Sequence, residues 1–328
     1  MIDKDKLFKI IDGFPNINGL VIGDVMLDIY EYCLTSESKA LTSEKPSKRA
    51  YKSQKLIKAL GGAGNVATSL ASLGVKTSLI GITGNDEEYF KLRELSDAIS
   101  INHFFIRDVT RPTTVKSRLF VDNEYLLRRD NESSNKIDIA TASSILNETL
   151  HEISNSHMVI LSDYNKGIFN EYLSQEIIKE CRLKSIPVIV DFKPVNSKLF
   201  QGADVLCPNE HEAKELMPSF SILTLETSIK SLFHILKARS IVITLGENGI
   251  AGFDGIEFFH IKGHKVNVLD AVGCGDTVRA GLALGITSGL NLAESSMLAN
   301  FAAAVIVQKP NTASITPKEL KEFIREVL

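Results

Sequence analysis

Asp270-Ala-Val-Gly-Cys-Gly-Asp276 runs directly into the apolar segment Thr277-Val-Arg-Ala-Gly-Leu-Ala-Leu-Gly-Ile286. A glycine-rich turn that opens a helix directs unpaired backbone N–H groups and the positive end of the helix dipole to one point, which suits an anion. A carboxylate beside such a turn suits a base that takes a proton from a hydroxyl while the turn holds a phosphoryl group. The stretch therefore predicts phosphoryl transfer with Asp276 as the base. The backbone N–H groups predicted to stabilise the phosphoryl oxygens are those of Gly273, Cys274 and Gly275.

A structural explanation of the same stretch is about equally good. Gly273 and Gly275 can shape a tight turn, and Asp276 can cap the helix that follows, as Asp commonly does. Short glycine-rich motifs also match by chance, so a second motif has to decide. Cys274 lies at a helix N-terminus, a position that lowers the pKa of a thiol. We nevertheless interpret Cys274 as a small packing residue that can make the enzyme sensitive to oxidants.

The second motif is Gly61-Gly-Ala-Gly-Asn65-Val-Ala67, which precedes an apolar-periodic run. Adjacent glycines let a ligand approach the backbone, and Asn65 offers a donor and an acceptor to a polyol, as a sugar site requires. The segment also fits the loose dinucleotide fingerprint G-x-G-x-x-A, with Asp86 near the distance expected for a ribose contact. That alternative is weaker, because the lysine-rich residues 49–58 do not suit the buried parallel strand that the fingerprint requires.

With both motifs in place, the chain resembles the ribokinase-like (PfkB) carbohydrate kinases. Their signatures are a GG-x-G-x-N element in the first half and a D-T-x-G-A-G-D element in the second. Ala271 stands here for the usual Thr and Cys274 for the usual Ala, and both substitutions keep the side chain small. Asn209-Glu-His-Glu212 is similar to the family's N-x-x-E element, and Thr244-Leu-Gly-Glu-Asn-Gly249 to its nucleotide-side turn.

A narrower resemblance is to the heptose 7-phosphate kinase branch, which makes the heptose 1,7-bisphosphate used for bacterial cell-surface glycan precursors, including lipopolysaccharide. The segments that carry it are Gly23-Asp-Val-Met-Leu-Asp28-Ile-Tyr30, Arg111-Pro-Thr-Thr-Val-Lys116-Ser-Arg118, Leu126-Leu-Arg128-Arg-Asp130, Leu161-Ser-Asp163-Tyr-Asn-Lys166-Gly167 and Asp191-Phe-Lys193. Members of this branch are often fused to a C-terminal adenylyltransferase domain with an H-x-G-H motif. His260-Ile-Lys-Gly-His264 has one residue too many for that motif, so we expect a stand-alone kinase.

The coarse hydrophobic pattern predicts an α/β fold with a mostly parallel central sheet and helices on both faces. Short runs rich in β-branched residues, separated by segments of helix length, predict its strands: Leu20–Gly23, Thr77–Ile80, Met158–Leu161, Pro187–Val190, Asp204–Leu206 and Ile241–Thr244. Residues 30–55 and 113–129 interrupt the alternation, and the resemblance implies that these insertions form a small β lid over the sugar. We expect residues 1–328 to form a single ribokinase-like domain, and the lid to pair in a homodimer.

Polar residues follow several of these strands, and ligands of open α/β sheets gather at the carboxyl ends of strands. The candidates are Asp24, Asp28, Asp163, Asp191, Lys193, Asn209 and Gly246. Each alone can be a turn residue, but together they predict one crevice.

The resemblance implies roles for these residues in a site for ATP and a sugar. On the sugar side it implies Asp24, Asp28, Gly61, Gly62, Asn65 and Asp163, and on the nucleotide side Lys193, Asn209, Thr244, Gly246, Gly249 and Asn300. Mg²⁺ is expected near Asn209 and Glu212 through water, and a monovalent cation such as K⁺ near Asp270. Asn209 and Glu212 can equally be a loop Asn and a helix-surface Glu, and Asn300 a satisfied polar group in a core helix.

A phosphorylated sugar also requires a basic subsite. Lys116, Arg118, Arg128 and Arg129 lie on the predicted lid and can bind the 7-phosphate, with Arg128 the best candidate. The alternative is that these are solvated charges on exposed lid strands.

Composition bounds the remaining possibilities. The net charge of −3 and the pI near 6.2 give no global reason to bind nucleic acid or an anionic membrane, which favours a small-molecule partner. The four cysteines lack C-x-x-C spacing and the chain does not open on a signal-peptide pattern, so a cytoplasmic location is expected. The apolar residues 297–307 are too few to span a bilayer and predict a buried helix.

Three other functions stay open on the sequence. One is a ribokinase- or fructokinase-type sugar or nucleoside kinase of the same family. The second is an NAD-dependent dehydrogenase, which would leave the turn at 270–276 unexplained. The third is a noncatalytic sugar-binding relative, which the Gly-x-Gly-Asp core disfavours.

Overall fold

The computed structural model describes residues 3–41, 48–310 and 313–328. Its strands are β1 (Asn18–Gly23), β2 (Val25–Cys33), β3 (Lys39–Ala40), β4 (Arg49–Ala50), β5 (Ser53–Gly62), β6 (Lys76–Thr83), β7 (Asn102–Arg107), β8 (Thr114–Val121), β9 (Glu124–Asn131), β10 (Met158–Ser162), β11 (Val188–Asp191), β12 (Val205–Leu206), β13 (Ile241–Thr244), β14 (Ile250–Phe253) and β15 (Phe258–Ile261). Its α-helices are α1 (Lys4–Gly13), α2 (Ala63–Ser72), α3 (Glu87–Ala98), α4 (Ile139–Ile153), α5 (Glu171–Leu183), α6 (Glu210–Leu216), α7 (Leu225–Leu236), α8 (Cys274–Thr287), α9 (Leu292–Ile306) and α10 (Pro317–Val327).

The central sheet has nine strands in the order β15-β14-β13-β12-β11-β10-β1-β6-β7. Within this sheet, β7, β6, β1, β10, β11, β12 and β13 pair in parallel. The strands β14 and β15 then continue the sheet in antiparallel pairing. All six predicted strands lie in this sheet, so the predicted fold class is confirmed. The edge strands β7 and β15, and β14 beside β15, were not predicted, because they are short or only partly buried and lack a continuous β-branched run.

Alternating side chains of the parallel strands enter two cores, one on each face of the sheet. Val21 packs with α1, α2, α8, α9 and α10, whereas Leu20 and Ile22 pack with α4, α5 and α7. This alternation follows from the two-residue period of a strand that is buried on both faces. The apolar residues 297–307 fall almost entirely in buried α9, as predicted. Among the described residues, the helices are all too short or too polar to cross a bilayer.

The lid is a second sheet, with the strand order β5-β2-β8-β9. Its strands extend beyond the predicted insertions, because β2 starts at Val25, β5 continues to Gly62 and β9 ends at Asn131. Residues 42–47 of the first insertion lie outside the described part of the chain. The register places Asp28 beside Lys116, and Arg118 beside Arg128, so their side chains share one face.

The lysine-rich segment before Gly62 forms most of β5, which pairs antiparallel with β2 and is exposed over its first half. A dinucleotide fingerprint requires a buried parallel strand at this place. Asp86, the proposed ribose ligand of that alternative, is the N-cap of α3 and accepts hydrogen bonds from the backbone N–H and hydroxyl of Thr113. These contacts leave the dinucleotide interpretation without its structural context.

Candidate active site

The turn at 270–276 opens α8, as the sequence predicts. Gly273 is the N-cap with a φ of 78°, a left-handed conformation that glycine adopts without strain. The backbone N–H of Cys274 donates to the carbonyl of Ala271 at 3.2 Å, so it is already used, and its predicted place in the anion cradle is wrong for this conformation. The N–H groups of Gly273, Gly275 and Asp276 donate to none of the described residues, and they are the open donors at the helix start.

Asp276 lies in the first turn of α8, and its side chain is held by groups from other elements. Its Oδ2 accepts a 2.6 Å hydrogen bond from Nδ2 of Asn65, and its Oδ1 accepts one of 2.9 Å from the hydroxyl of Tyr164. Neither oxygen caps its own helix, so the capping explanation is wrong. Asn65 lies in the first turn of α2, so two helix N-termini meet at this carboxylate.

The surroundings of Asp276 tune its acidity. Burial raises the pKa of Asp276, while Arg279 and the hydrogen bonds from Asn65 and Tyr164 oppose that rise. A raised pKa suits a carboxylate that accepts a proton during a reaction. Burial also raises the pKa of the Cys274 thiol to about 11, opposite to the lowering typical of a helix N-terminus. Cys274 packs against the apolar core, in agreement with its interpretation as a small packing residue.

One cavity lies between this turn and the lid, and we call it the lid-side cavity. It has a volume of about 490 Å³. It is lined by Met26, Asp28, Gly62, Asn65, Lys116, Arg118, Arg128, Tyr164, Lys166, Lys193, Val272, Gly273 and Asp276. Five cationic side chains and two carboxylates line it, and carboxylates outside the lining pair with four of the cations. The cavity therefore suits an anionic ligand through the donors that these pairs leave free.

The cations of the lid-side cavity are held by carboxylates of the lid and of the loops around it. Arg118 pairs with Asp28 at 2.7 Å, and Arg128 with Asp130 at 2.9 Å. Lys116 also bonds Asp130, at 3.2 Å. Glu132 bridges Lys116 at 3.1 Å and Lys166 at 2.7 Å. These pairs hold the cations in place while the exposed side chain of Arg128 keeps donors available.

Arg129 does not line the lid-side cavity, which corrects its candidacy as a phosphate ligand. It follows Arg128 on β9, where successive side chains point to opposite faces, and it is exposed.

Lys193 was predicted on the nucleotide side, but it lines the lid-side cavity and pairs with Glu212 at 2.6 Å. The direction of the loop after β11 decides this, and a strand-end position alone does not reveal it.

Asp24, Gly61 and Asp163 do not line this cavity but shape its walls. Asp24 is buried, and its Oδ2 accepts hydrogen bonds from the backbone N–H groups of Tyr164 and Lys166. Asp163 accepts from the backbone N–H of Lys193 and from the side-chain amide of Asn196. A Cβ atom on Gly61 would collide with the carboxylate of Asp28. These residues therefore place the groups that do face the cavity.

Two residues that line the lid-side cavity, Tyr164 and Lys166, were not predicted from the sequence. Both belong to the segment Leu161–Gly167, which carries part of the narrower resemblance. Their position directly after β10 is the signal that was available, because that strand ends at the same sheet edge as the others. Nothing in the local sequence indicates that the Tyr164 hydroxyl reaches Asp276.

A second cavity, which we call the distal cavity, lies on the other side of the turn and has a volume of about 350 Å³. It is lined by Asn209, Glu210, His211, Thr244, Gly246, Gly249, Ile250, Ala271, Cys274, Gly275, Val278, Arg279, Asn300 and Ala303. Five of the six residues predicted on the nucleotide side come together here. Asn300 also donates to the carbonyl of Lys262 at 2.9 Å, so it is both satisfied and exposed to the cavity.

The turn separates the two cavities and contributes to both. Gly273 and Asp276 line the lid-side cavity, whereas Cys274 and Gly275 line the distal cavity. A group transferred from a ligand in one cavity to a ligand in the other would therefore pass the open N–H groups at the start of α8. This geometry suits transfer of an anionic group between two bound molecules.

Asn209 and Glu212 form a capping box at the start of α6. The backbone N–H of Glu212 donates to Oδ1 of Asn209, and Oε2 of Glu212 accepts from the backbone N–H of Asn209, both at 2.9 Å. Glu212 is buried and its other oxygen binds Lys193, so it is not a surface residue. Each carboxylate oxygen of Glu212 keeps a second lone pair. This fits a hydrated Mg²⁺ held through water rather than by direct ligation.

Asp270 lines neither cavity. It lies in a cleft with Tyr32, Lys55 and Phe120 of the lid, and its Oδ1 accepts a 2.9 Å hydrogen bond from the backbone N–H of Val272. The monovalent-cation site at Asp270 stays a prediction.

Comparisons with known proteins bear on the family and the fold of the chain. Residues 18–319 match the model of the pfkB family of carbohydrate kinases. The chain is similar in structure to phosphofructokinase-2 from Escherichia coli in complex with potassium, with a TM-score of 0.77 and 15% identity over 95% of this chain and 98% of that one. It is also similar to ribokinase from Arabidopsis thaliana complexed with ribose and ATP, with a TM-score of 0.72 and 19% identity over 94% of this chain and 99% of that one. At these identities the likeness concerns the fold.

Sequence relatives are named bifunctional protein HldE. The chain is 34% identical to that of Sulfurimonas denitrificans over 96% of its own length and 65% of the relative's. It is 35% identical to that of Campylobacter jejuni subsp. jejuni over 93% of its own length and 64% of the relative's. The chain thus spans a little under two thirds of the curated relatives that it matches.

Proposed function

The chain belongs to the pfkB family of carbohydrate kinases, and we propose that it transfers the γ-phosphoryl group of ATP to D-glycero-D-manno-heptose 7-phosphate, giving heptose 1,7-bisphosphate. The observation that carries the proposal is the pair of cavities on either side of Asp276, with the cations concentrated on the lid side. The relatives named bifunctional protein HldE and the resemblance of segments such as Leu161–Gly167 to the heptose 7-phosphate kinases support the same acceptor.

The reaction follows from the position of Asp276. The acceptor hydroxyl donates its proton to the carboxylate of Asp276 as its oxygen forms a bond to the γ-phosphorus. The bond from that phosphorus to the β–γ bridging oxygen breaks, and ADP leaves with the electron pair. The open N–H groups of Gly275 and Asp276 stabilise charge on the transferring oxygens. The hydrogen bonds from Asn65 and Tyr164 fix both carboxylate oxygens before the acceptor arrives.

Mg²⁺ would be held near Asn209 and Glu212 through water, where it neutralises charge on the phosphates of the nucleotide. Glu212 also orients Lys193 toward the lid-side cavity, since the two side chains form a 2.6 Å ion pair. We further propose K⁺ as an optional activator at Asp270.

The lid-side cations are the groups that would select a phosphorylated acceptor. Lys116, Arg118, Arg128 and Lys166 line the lid-side cavity together. Each is paired with a carboxylate, but the half-exposed Arg128 keeps donors that an anionic acceptor such as a sugar phosphate can use. A ribokinase- or fructokinase-type acceptor is the second candidate, and the fold likeness to ribokinase favours it.

We propose one kinase domain that dimerises through the lid and works in the cytoplasm, where ATP and sugar phosphates are available. Exposed apolar side chains of the lid support the dimer, among them Leu56, Tyr125, Leu126 and Leu127, which are 52%, 55%, 53% and 47% exposed. Single apolar residues on a surface are common, but several on one small sheet indicate a contact surface.

The decisive experiment measures ADP release with ATP and Mg²⁺ over an acceptor panel. The panel contains D-glycero-D-manno-heptose 7-phosphate, the unphosphorylated heptose, ribose, fructose and fructose 1-phosphate. We expect the highest kcat/KM with the heptose 7-phosphate and a large loss with the unphosphorylated heptose. A higher kcat/KM with ribose or fructose would refute the heptose assignment, and NAD binding without ATP turnover would refute a kinase.

A further inference from the structure

Arg279 is a buried arginine in a helix whose other residues between 277 and 286 are uncharged. It lies one turn after Gly275 on α8, and helical side chains point back toward the N-terminus, so its guanidinium reaches the start of the helix. Nη2 donates to Oδ1 of Asp191 at 2.6 Å and to the carbonyl of Cys207 at 3.2 Å. One nitrogen thus anchors the side chain to the ends of β11 and β12.

The remaining donors of the guanidinium are not used within the described part of the chain. Nε is buried and has no hydrogen-bond partner there. Nη1 also has none, and it lies against the point where a Cβ atom on Gly275 would sit. Arg279 lines the distal cavity although only 5% of the residue is exposed. Glycine at 275 therefore leaves room for a cation directly beside the open N–H groups of the turn.

A purely structural role does not explain this arrangement. An arginine that only neutralises a buried aspartate typically presents two parallel N–H donors to it, whereas Asp191 receives one. Leaving the buried Nε without a partner costs free energy, and Nη1 is a donor beside Gly275 that a ligand in the distal cavity can use. Burial lowers the pKa of Arg279, but the carboxylates of Asp191 and Asp276 outweigh it and raise that pKa above its ordinary value, so the guanidinium stays charged.

We propose that Arg279 binds the terminal phosphoryl oxygens of a nucleotide in the distal cavity through Nη1, next to the N–H groups of Gly275 and Asp276. Asp191 is the positioning residue that fixes the other side of the guanidinium. The inference rests on the proposed function, which assigns ATP to this cavity. Arg279 keeps its proton throughout, so the bonds that form and break are those of the kinase reaction given above.

The test compares two nucleotides that differ in the phosphates Arg279 would contact. Affinities of AMP and of a non-hydrolysable ATP analogue, AMP-PNP, are measured by calorimetry for the wild type and for Arg279→Met. Loss of a charge-assisted hydrogen bond predicts roughly 10- to 100-fold weaker AMP-PNP binding. AMP binding is expected to stay within about twofold. Arg279→Lys is expected to recover part of the loss, because it keeps the charge but not the planar fork.

Arg279→Met leaves Asp191 without its partner and can destabilise the fold, so the double variant Asp191→Asn/Arg279→Met is measured in parallel. The matched control is Arg111→Met, which removes another buried arginine with an aspartate and two carbonyl partners and lines neither cavity. It is expected to lower Tm and leave the ratio of the two affinities unchanged.

An unchanged ratio of AMP-PNP to AMP affinity in folded Arg279 variants would overturn the inference and leave the proposed function standing. A wild-type protein that binds AMP-PNP no more tightly than AMP would overturn the assignment of ATP to the distal cavity, and the role of Arg279 with it. A fall in both affinities by the same factor would assign Arg279 a structural role only.

Discussion

The lid-side cavity and the distal cavity share one turn but are built from different chemistry. Five cationic side chains line the lid-side cavity, and each of them is paired with a carboxylate. Three glycines and several small side chains line the distal cavity, together with polar residues such as Asn209, Glu210 and His211 and the buried Arg279. We therefore expect side-chain charge to select the ligand on the lid side, and backbone shape together with the guanidinium of Arg279 to do so on the distal side.

Asp276 lines the lid-side cavity at the turn that separates the two cavities, and its replacement should show the largest effect. Asp276→Asn removes the proton acceptor but keeps the size of the side chain, so we expect kcat to fall by about 10²- to 10⁴-fold. Nucleotide affinity should change little, because the distal cavity keeps its backbone and Arg279. Steady-state kinetics and AMP-PNP calorimetry on the same preparation measure the two quantities.

The control for Asp276→Asn is thermal unfolding, since the amide must accept and donate where the carboxylate only accepted. An unchanged kcat in a folded variant would contradict the role of the carboxylate as a base. A parallel loss of AMP-PNP affinity would mean that the two cavities are not as separate as their linings suggest.

An intermediate effect is expected on the lid side alone. Arg128→Met removes a cation whose side chain is half exposed, so we expect KM for the phosphorylated sugar to rise by roughly 5- to 30-fold, with the exposure limiting the loss. KM for ATP should stay unchanged. The matched control is Arg129→Met on the opposite face of β9, which is expected to alter neither value. Equal effects with phosphorylated and unphosphorylated sugars would argue against a phosphate contact.

The two cavities also differ in how much of them the sequence predicts. Local signals such as strand ends and glycine turns bring five of six predicted residues to the distal cavity. On the lid side, Lys166 and Tyr164 were missed and Lys193 was assigned to the other cavity, because these positions depend on how three loops fold against one another. The six central strands were predicted from their β-branched runs, whereas the edge strands carry too weak a pattern. The role of Arg279 depends on a contact with Asp191, 88 residues away in sequence.

The smallest effect is expected for Tyr164→Phe. This substitution should change the pH dependence of activity and leave nucleotide affinity unchanged. The Tyr164 hydroxyl donates to Asp276 and so opposes the rise in its pKa. Tyr164→Phe should raise that pKa further, because it removes a hydrogen bond that stabilises the ionised carboxylate. Asp276 acts as a base only when ionised, so activity is full above its pKa and is lost as the pH falls through it.

The acid limb of the kcat/KM profile should therefore move to higher pH in Tyr164→Phe, with a few-fold loss in kcat at neutral pH and unchanged AMP-PNP affinity. Arg279→Met should move the same limb in the same direction, because the guanidinium also opposes the raised pKa of Asp276, but it should weaken AMP-PNP binding as well. If both variants shift the acid limb to higher pH and only Arg279→Met weakens AMP-PNP binding, residues of both cavities act on the Asp276 carboxylate. Only the distal cavity then holds the nucleotide. A shift of the acid limb to lower pH in Tyr164→Phe would show that the hydroxyl does not stabilise the ionised base.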